Sequence, residues 1–448
     1  MRKSLIAAAA SVLCLLGQTE VAAQFGRWQP SEWTTQADEE TGVALTILTD
    51  TLKNDRFFYQ TDPMWTPDCK YLLFRSSSRS ESKEEEWTAP DGKKHRFKPS
   101  HLYFIEVASG RIIQITDEGF SGSGFLSNVS GKIYVSRRER SSGWSLYVMD
   151  LDRLFADAAE GKATKAEDYA SLIGSFPDDP EGLGRPGGFC INADDSYAYI
   201  STDRKVSKEK LEEAEKKAFK PEENQPKKVG VGFSALARMD LKTGEVSKIA
   251  EMDFRVGHIQ ASRFDPDEIV FCLETGGDAD QRMWYCNAAS GEYKPLYKET
   301  ALDWVTHETF GTPDHVYFNV LGWQDRLRKQ ASGIFRINLR TDDVEVIGQV
   351  EMDRDRSSSL TGRGFWHCNS TRDGSLVAGD TFAGSVWIID AVTGHRYKIA
   401  SDVKMAPDHA HPFFSPDGRY LCFQSGHYSG GERLNLVMVD LSQMQFYK

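Results

Sequence analysis

Positive charge is what this chain lacks most. Its 54 Lys and Arg are outnumbered by 66 Asp and Glu, for a formal net charge of -12. Nucleic-acid binding rests on clustered cations meeting phosphates, so this balance argues against that partner. A local basic site for an anionic ligand stays open. Beyond the N-terminus there is no second long apolar run, which leaves the mature chain without a membrane span. No Cys-x-x-Cys pair occurs among the 7 cysteines. Histidine is scarce as well, with only 10 in 448 residues. Where those few histidines fall is the most informative feature of the sequence.

The N-terminus reads as a targeting segment. Arg2 and Lys3 precede a short apolar stretch, Leu5 to Leu16, and Val21-Ala22-Ala23 offers small residues for cleavage. Removal is expected after Ala23, leaving an exported, periplasmic protein of residues 24–448. Export makes disulfides possible. The cysteines after Cys14 nevertheless sit mostly in strand-like apolar contexts such as Leu421-Cys422-Phe423 and read as buried thiols. Cys272 and Cys286 are the pair that could bridge across one repeat.

The remainder repeats. Phe414-Ser415-Pro416-Asp417-Gly418-Arg419-Tyr420-Leu421-Cys422-Phe423 is followed by Leu436-Val437-Met438-Val439-Asp440. Thr66-Pro67-Asp68-Cys69-Lys70-Tyr71-Leu72-Leu73-Phe74, then Leu102-Tyr103-Phe104-Ile105-Glu106, is the same pattern near the start. Five more units lie between, with turns at Asp194-Asp195, Asp265-Pro266-Asp267, Pro313-Asp314 and Asp373-Gly374 among their marks. Thr243-Gly244 and Thr393-Gly394 suit tight hairpins, where glycine supplies positive φ. Seven all-strand units of roughly 40 to 70 residues predict an all-β, seven-bladed β-propeller over residues 24–448. A pair of β-sandwiches is the competing fold, and the regular repetition disfavours it. The last unit lacks a final strand. The alternating stretch Gly42 to Thr49 is expected to supply it and close the ring. Two insertions break the period. Ser80 to Lys98 reads as an exposed hairpin, and Lys205 to Lys228 contains a charged helix-forming run. Each is a solvated face or a lid over the channel.

Five of the histidines fall at equivalent places in four consecutive units: His258, His307, His367, His409 and His411. Any one of them alone reads as a satisfied structural histidine. At matching phase in a propeller they converge on the central channel. His409 and His411 alternate, so in a strand both face one side and can approach one ion. Nitrogen donors suit Zn, Mn, Fe, Ni or Cu, and do not choose among them. Asp408 is a possible oxygen ligand or an exposed loop acid. Arg238 and Arg282 are candidates to clamp a carboxylate, or surface ion-pair partners. Trp304, Trp323 and Trp366 are candidates to stack on sugar rings, or core filling.

At these residues the chain resembles the oligogalacturonate lyases, seven-bladed propellers that degrade pectin fragments. The resemblance rests on Phe57-Phe58-Tyr59-Gln60, Leu236 through Glu245, Gly257-His258, Arg282-Met283-Trp284, Thr306-His307-Glu308, Asp373-Gly374-Ser375-Leu376 and His409-Ala410-His411-Pro412. It runs in the same order along nearly the whole mature chain. It implies a polysaccharide lyase that cleaves an acidic oligosaccharide by β-elimination, giving an unsaturated uronide with the help of a divalent ion, Mn2+ in the family. It also implies His307, His409 and His411 as metal ligands, His258 as the base and Arg238 as the catalytic arginine. The family's fourth ligand is a glutamine, and its position here is Ala406. Asp408, His367 or water would have to replace it. A non-catalytic periplasmic propeller of the TolB type is the alternative reading. A serine-peptidase propeller is weak, because neither Gly-x-Ser-x-Gly nor a following α/β-hydrolase domain is present.

Overall fold

Apolar strands flanked by Asp/Gly turns build one repeated unit. In the computed structural model these units form seven antiparallel sheets arranged as blades. Residues 25–79, 82–88, 94–120, 123–139, 143–176, 182–218, 231–352, 360–444 and 446 are described. The expected leader, residues 1–23, lies outside them. First strands of neighbouring blades pack against each other, as Arg185–Ile191 does on Val256–Ala261 and Val305–Thr312 on Phe365–Ser370. These inner strands line the axis.

The turns work as their composition implies. In the last unit Ser415 Oγ donates to Asp417, and Gly418 adopts a φ of 72°. Middle strands read as unbroken apolar runs because stacked blades cover both faces. Leu102, Tyr103, Phe104 and Ile105 are all fully buried in blade 1. Each such side chain contributes roughly 1.5–3 kcal/mol through burial.

Blade 7 joins the two ends of the chain. Ala44–Ile47 lies beside Asn435–Asp440, with Thr46 opposite Met438 and Ile47 opposite Val437. Thr34–Ala37 adds a further outer strand. Asp38 then accepts hydrogen bonds from the Ser401 backbone and hydroxyl at the end of blade 6.

The first insertion is a hairpin of Glu85–Thr88 and Lys94–Phe97. The second holds the helix Lys208–Lys217, capped by Ser207; residues 219–228 of that insertion fall outside the described set. Lys210 of this helix lies over Phe233 and pairs with Asp253, beside a cavity of about 420 Å³ that also touches Leu273 and Thr275. A second helix, Leu151–Ala159, follows the third strand of blade 2 and is no part of the strand repeat.

The cysteines that the structure describes are all free. Cys272 and Cys286 do not pair, and the register shows why. Cys272 stands opposite Met283, and Cys286 opposite Ile269. The two are thus offset by an odd number of residues and point to opposite faces of the blade.

Candidate functional site

The inner strands of blades 4, 5 and 6 are each interrupted by a register shift. At the histidines the shifts fall between Gly257 and Gln260, between Thr306 and Thr309, and between Phe365 and His367, and blade 5 has a second one between Phe310 and Thr312. Such bulges re-aim side chains and recur at functional sites. His258, His307 and His411 are in the left-handed region, with φ of 46°, 59° and 48°. For a non-glycine residue this costs on the order of 1–3 kcal/mol, and it persists only where the surroundings fix it. The expected convergence is therefore present, and it uses backbone conformations that ordinary strands avoid.

His367, His409 and His411 place donor atoms within 4.8 Å of one another. His307 lies alongside, with its ring centroid 4.1 Å from that of His367. Its Nδ1 is hydrogen-bonded to the Trp366 carbonyl, and its Nε2 has no hydrogen-bond partner among the described residues. His367 is held from the opposite side. Its Nδ1 meets Asp380 Oδ2 at 3.0 Å, and its backbone N–H donates to Oδ1 at 2.7 Å. Asp380 is its direct cross-strand partner. A carboxylate behind an imidazole fixes the tautomer and turns the Nε2 lone pair forward, as in metal centres. The Trp366 indole N–H donates to His409 Nδ1 at 2.8 Å. Gln424 reaches both the His409 carbonyl and His411 Nδ1. Ala406 brings no donor, and Asp408 turns its carboxylate back onto the His409 backbone N–H. His367, one of the possible substitutes for the missing glutamine, shares the donor cluster with His409 and His411.

Burial governs the charge state of these rings. It pulls His307 well below the ordinary histidine value, helped by the charges of His367 and Arg282. It does the same to His367, helped by His411 and His409. It lowers His411 to about 4, although Asp408 and Asp380 pull upward. All three are neutral at pH 7, with lone pairs available to an ion.

Tyr59 fills the middle of the array. Its ring centroid lies 4.8 Å from that of His258, 5.1 Å from His411 and 5.9 Å from His367. Burial and the Glu308 charge raise its phenol well above the usual value, so it stays protonated.

His258 is partly exposed and stands apart from the trio. Its Nε2 lies 3.2 Å from Glu274 Oε2. Burial alone would raise Glu274, but the hydrogen bond from His258 and the charge of Arg282 prevail and hold it at about 2. Arg282 is buried between Glu274 and Glu308, at 4.0 and 3.8 Å. His258, Cys272 and Glu274 also come within donor reach of one another. Burial pushes the Cys272 thiol well above its ordinary value, and Sγ sits 3.7 Å from Glu274 as a donor. That group is therefore a hydrogen-bonded support for His258, not a ready thiolate ligand. In front of His258 opens a cavity of about 310 Å³, walled by Tyr59, Asp62, Gly187, Gly188 and Arg255.

Arg238 does not join this group. It lies on the third strand of blade 3, two strands out from the channel. There it covers the Tyr197 ring at 5.0 Å and donates to Ser247. Arg282 is the arginine that the fold places behind His258. Trp366 is at the site, while Trp304 and Trp323 pack on each other, with Arg363 over Trp323. Sequence reasoning assigned no role to Asp380, Glu274 or Tyr59. A carboxylate inside the apolar run Leu376-Val377-Ala378-Gly379-Asp380-Thr381 was the signal for the first, since a buried charge needs a partner.

Fold and site together define a seven-bladed propeller with a histidine cluster at one channel mouth. No family model matches the chain. An oligogalacturonate lyase of Dickeya dadantii (strain 3937) is 24% identical over 208 residues, covering 42% of this chain and 52% of that protein. An oligogalacturonide lyase of Pectobacterium atrosepticum is 24% identical over 218 residues, with the same shares covered. The chain thus spans about half the length of the curated relatives it matches. Among solved structures, an oligogalacturonate lyase in complex with manganese superposes with a TM-score of 0.67 at 19% identity, covering 93% of this chain and 98% of the other. An oligogalacturonate lyase from Vibrio parahaemolyticus gives 0.67 at 20% identity, covering 95% and 100%. At such identities the structural likeness establishes the shared propeller fold.

Proposed function

We propose that this protein is a metal-dependent lyase that cleaves oligogalacturonate, or a related uronic-acid oligosaccharide, by β-elimination. The observation that carries the reading is a partly exposed His258, backed by Glu274, beside a cluster of neutral imidazoles at one channel mouth. The weak similarity to oligogalacturonate lyases points the same way.

The donor set fits a divalent ion. His367, His409 and His411 supply converging nitrogens, His307 has Nε2 to offer, and Asp380 orients one ring. When bound, the ion would neutralise the substrate carboxylate and make the neighbouring C5 proton more acidic. The relative in complex with manganese makes Mn2+ the first ion to test.

The protein's own residues do the rest. With Nε2–H directed at Glu274, His258 presents the Nδ1 lone pair to the cavity. That nitrogen takes the C5 proton. The C–H electrons form the C4–C5 double bond, the C4–O bond breaks, and the departing oxygen takes a proton from solvent, to which the His258 imidazolium then releases its own. No water is consumed. Glu274 stabilises the imidazolium, and Arg282 keeps Glu274 in place. Tyr59 holds the histidine rings apart and excludes solvent behind them. Export with loss of residues 1–23, leaving a periplasmic propeller of residues 24–448, belongs to the same proposal. Among the described residues no helix is long and apolar enough to cross a membrane.

The test is a panel of uronide oligosaccharides incubated with Mn2+-loaded protein and followed by the ultraviolet absorbance of an unsaturated uronide. Metal-dependent growth of that absorbance is expected. A folded, loaded protein that yields no such product from any member of the panel would sink the reading.

A further inference from the structure

Blade 1 shows two ways of treating an arginine. Asp55–Arg56, its inner strand, pairs antiparallel with Tyr71–Ser76. Asp55 stands opposite Ser76, and Arg56 stands opposite Arg75. On the Asp55 side the chain neutralises its cation twice: Arg79 donates to Asp55 and also to Glu32. On the other face the two arginines sit directly across from each other. Opposite residues on one face have Cβ atoms about 4.5–5.5 Å apart, and like charges there are destabilising. Among the described residues, neither Arg56 nor Arg75 has a hydrogen bond or an ion pair to a carboxylate. Arg75 is held instead over the Phe58 ring, at 5.2 Å.

The pair stands at the histidine mouth. Phe57, the residue after Arg56, donates its N–H to Gln424 Oε1, and Gln424 reaches both the His409 carbonyl and His411 Nδ1, so the strand that carries Arg56 abuts the cluster. The acids whose charges act on Arg75 are Asp62 and Asp408, and neither forms an ion pair with it among the described residues. Burial pushes Asp62 up to about 6, against the charges of Arg75 and His258. Asp408 turns onto the His409 backbone. Two adjacent, half-buried guanidinium groups on a chain of net charge -12 thus stand opposite each other with no ion-paired carboxylate among the described residues. Their planar forks suit a carboxylate held in two-point fashion.

We infer that Arg56 and Arg75 form a binding site for a second substrate carboxylate, on the sugar next to the one that meets the histidine cluster. The assignment rests on the uronide reading above and deepens it: the substrate carries acid groups on two adjacent units, and the arginines read the second. The histidines act at one sugar, and the arginine pair sets the demand for a charged neighbour.

The experiment compares wild type, Arg75→Gln, Arg56→Gln and Arg75→Lys, all loaded with Mn2+, on digalacturonate. Calorimetric titration of digalacturonate, and of inorganic phosphate as a control anion, runs in parallel. Each glutamine variant is expected to raise KM roughly tenfold to a hundredfold, the worth of a charge-assisted contact. The fall in kcat should be far smaller, and metal content should match wild type. Arg75→Lys should recover part of the loss. Without ligand, the glutamine variants should melt at or above the wild-type temperature, because a like-charge pair has been relieved. An unchanged KM in both glutamine variants overturns the inference while leaving the lyase reading intact. So does a lowered melting temperature in both, which would make the pair structural. Phosphate binding as tight as that of digalacturonate, lost in the same variants, also overturns it and marks a general anion site. Should wild type turn over no uronide, the titration decides. Digalacturonate binding that is lost in Arg75→Gln supports the carboxylate site although the lyase reading has failed. No binding to wild type overturns both.

Discussion

Blades 3 and 4 carry the same irregularity at the same place. Each inner strand slips register once, between Pro186 and Phe189 in blade 3 and between Gly257 and Gln260 in blade 4. Blade 4 fills its bulge with His258 and Ile259, and blade 3 fills its own with Gly187 and Gly188. The bulge is therefore a property of the scaffold, and the side chain placed on it is the variable. In blade 4 it presents the His258 imidazole, the proposed base. In blade 3 it presents nothing, and the space becomes the cavity in front of that base, where Gly187, Gly188 and His258 share a wall. A ring of similar blades thus yields a one-sided site: histidines on blades 4 to 7, an opening at blade 3, and arginines on blade 1.

The sharpest way to break this comparison is to give blade 4 the side chain poverty of blade 3. His258→Ala should lower kcat by about a hundredfold to ten-thousandfold, the range for a general base. Bound Mn2+, measured by elemental analysis, should not change, because His258 is not one of the three imidazoles whose donor atoms converge. Activity within a few-fold of wild type would move the base elsewhere in the site.

The next effect belongs to blade 6, whose bulge aims His367 through Asp380. Asp380→Asn keeps the shape and removes the charge behind the ring. Mn2+ affinity should weaken roughly tenfold to a hundredfold, as for other partners that orient a metal-bound histidine. Competition titration with a chelator reads this without any substrate. An unaltered affinity would return His367 to the role of channel lining and favour His307 as the third ligand.

These experiments probe the part of the site that spacing could not show. The histidine series was legible because each member falls at the same phase of a visible repeat. Blade count and the use of an N-terminal strand in blade 7 follow from the same periodicity. The supports of those histidines come instead from cross-strand register. Asp380 lies thirteen residues from His367 in sequence but directly opposite it in the sheet, and Glu274 comes to His258 from the neighbouring strand. No local pattern marks such pairs. Arg238 shows the converse error. A short matching segment suggested it, but its place on a third strand keeps it from the channel. Leu151–Ala159 carries a helix signature of its own. Leu151, Leu154, Phe155 and Ala158 follow helical spacing behind an Asp150 cap, and the regularity of the strands masked it.

The smallest expected effect sharpens the comparison from the blade 3 side. A Cβ added at Gly188 would meet only Ile259 Cγ2 at 3.7 Å and Ser201 Oγ at 3.8 Å, both ordinary contacts. Gly188 is not among the positive-φ glycines, so a side chain is tolerated there. Gly188→Val should therefore fold normally and project methyl groups into the space before His258. If that space receives the sugar, the loss of room costs about 1 kcal/mol of binding, roughly fivefold in KM, with Mn2+ content and melting temperature unchanged. A valine at 188 that leaves KM where it was would show that the substrate approaches His258 from another side. The glycine bulge of blade 3 would then be spare scaffold and not the opening of the site.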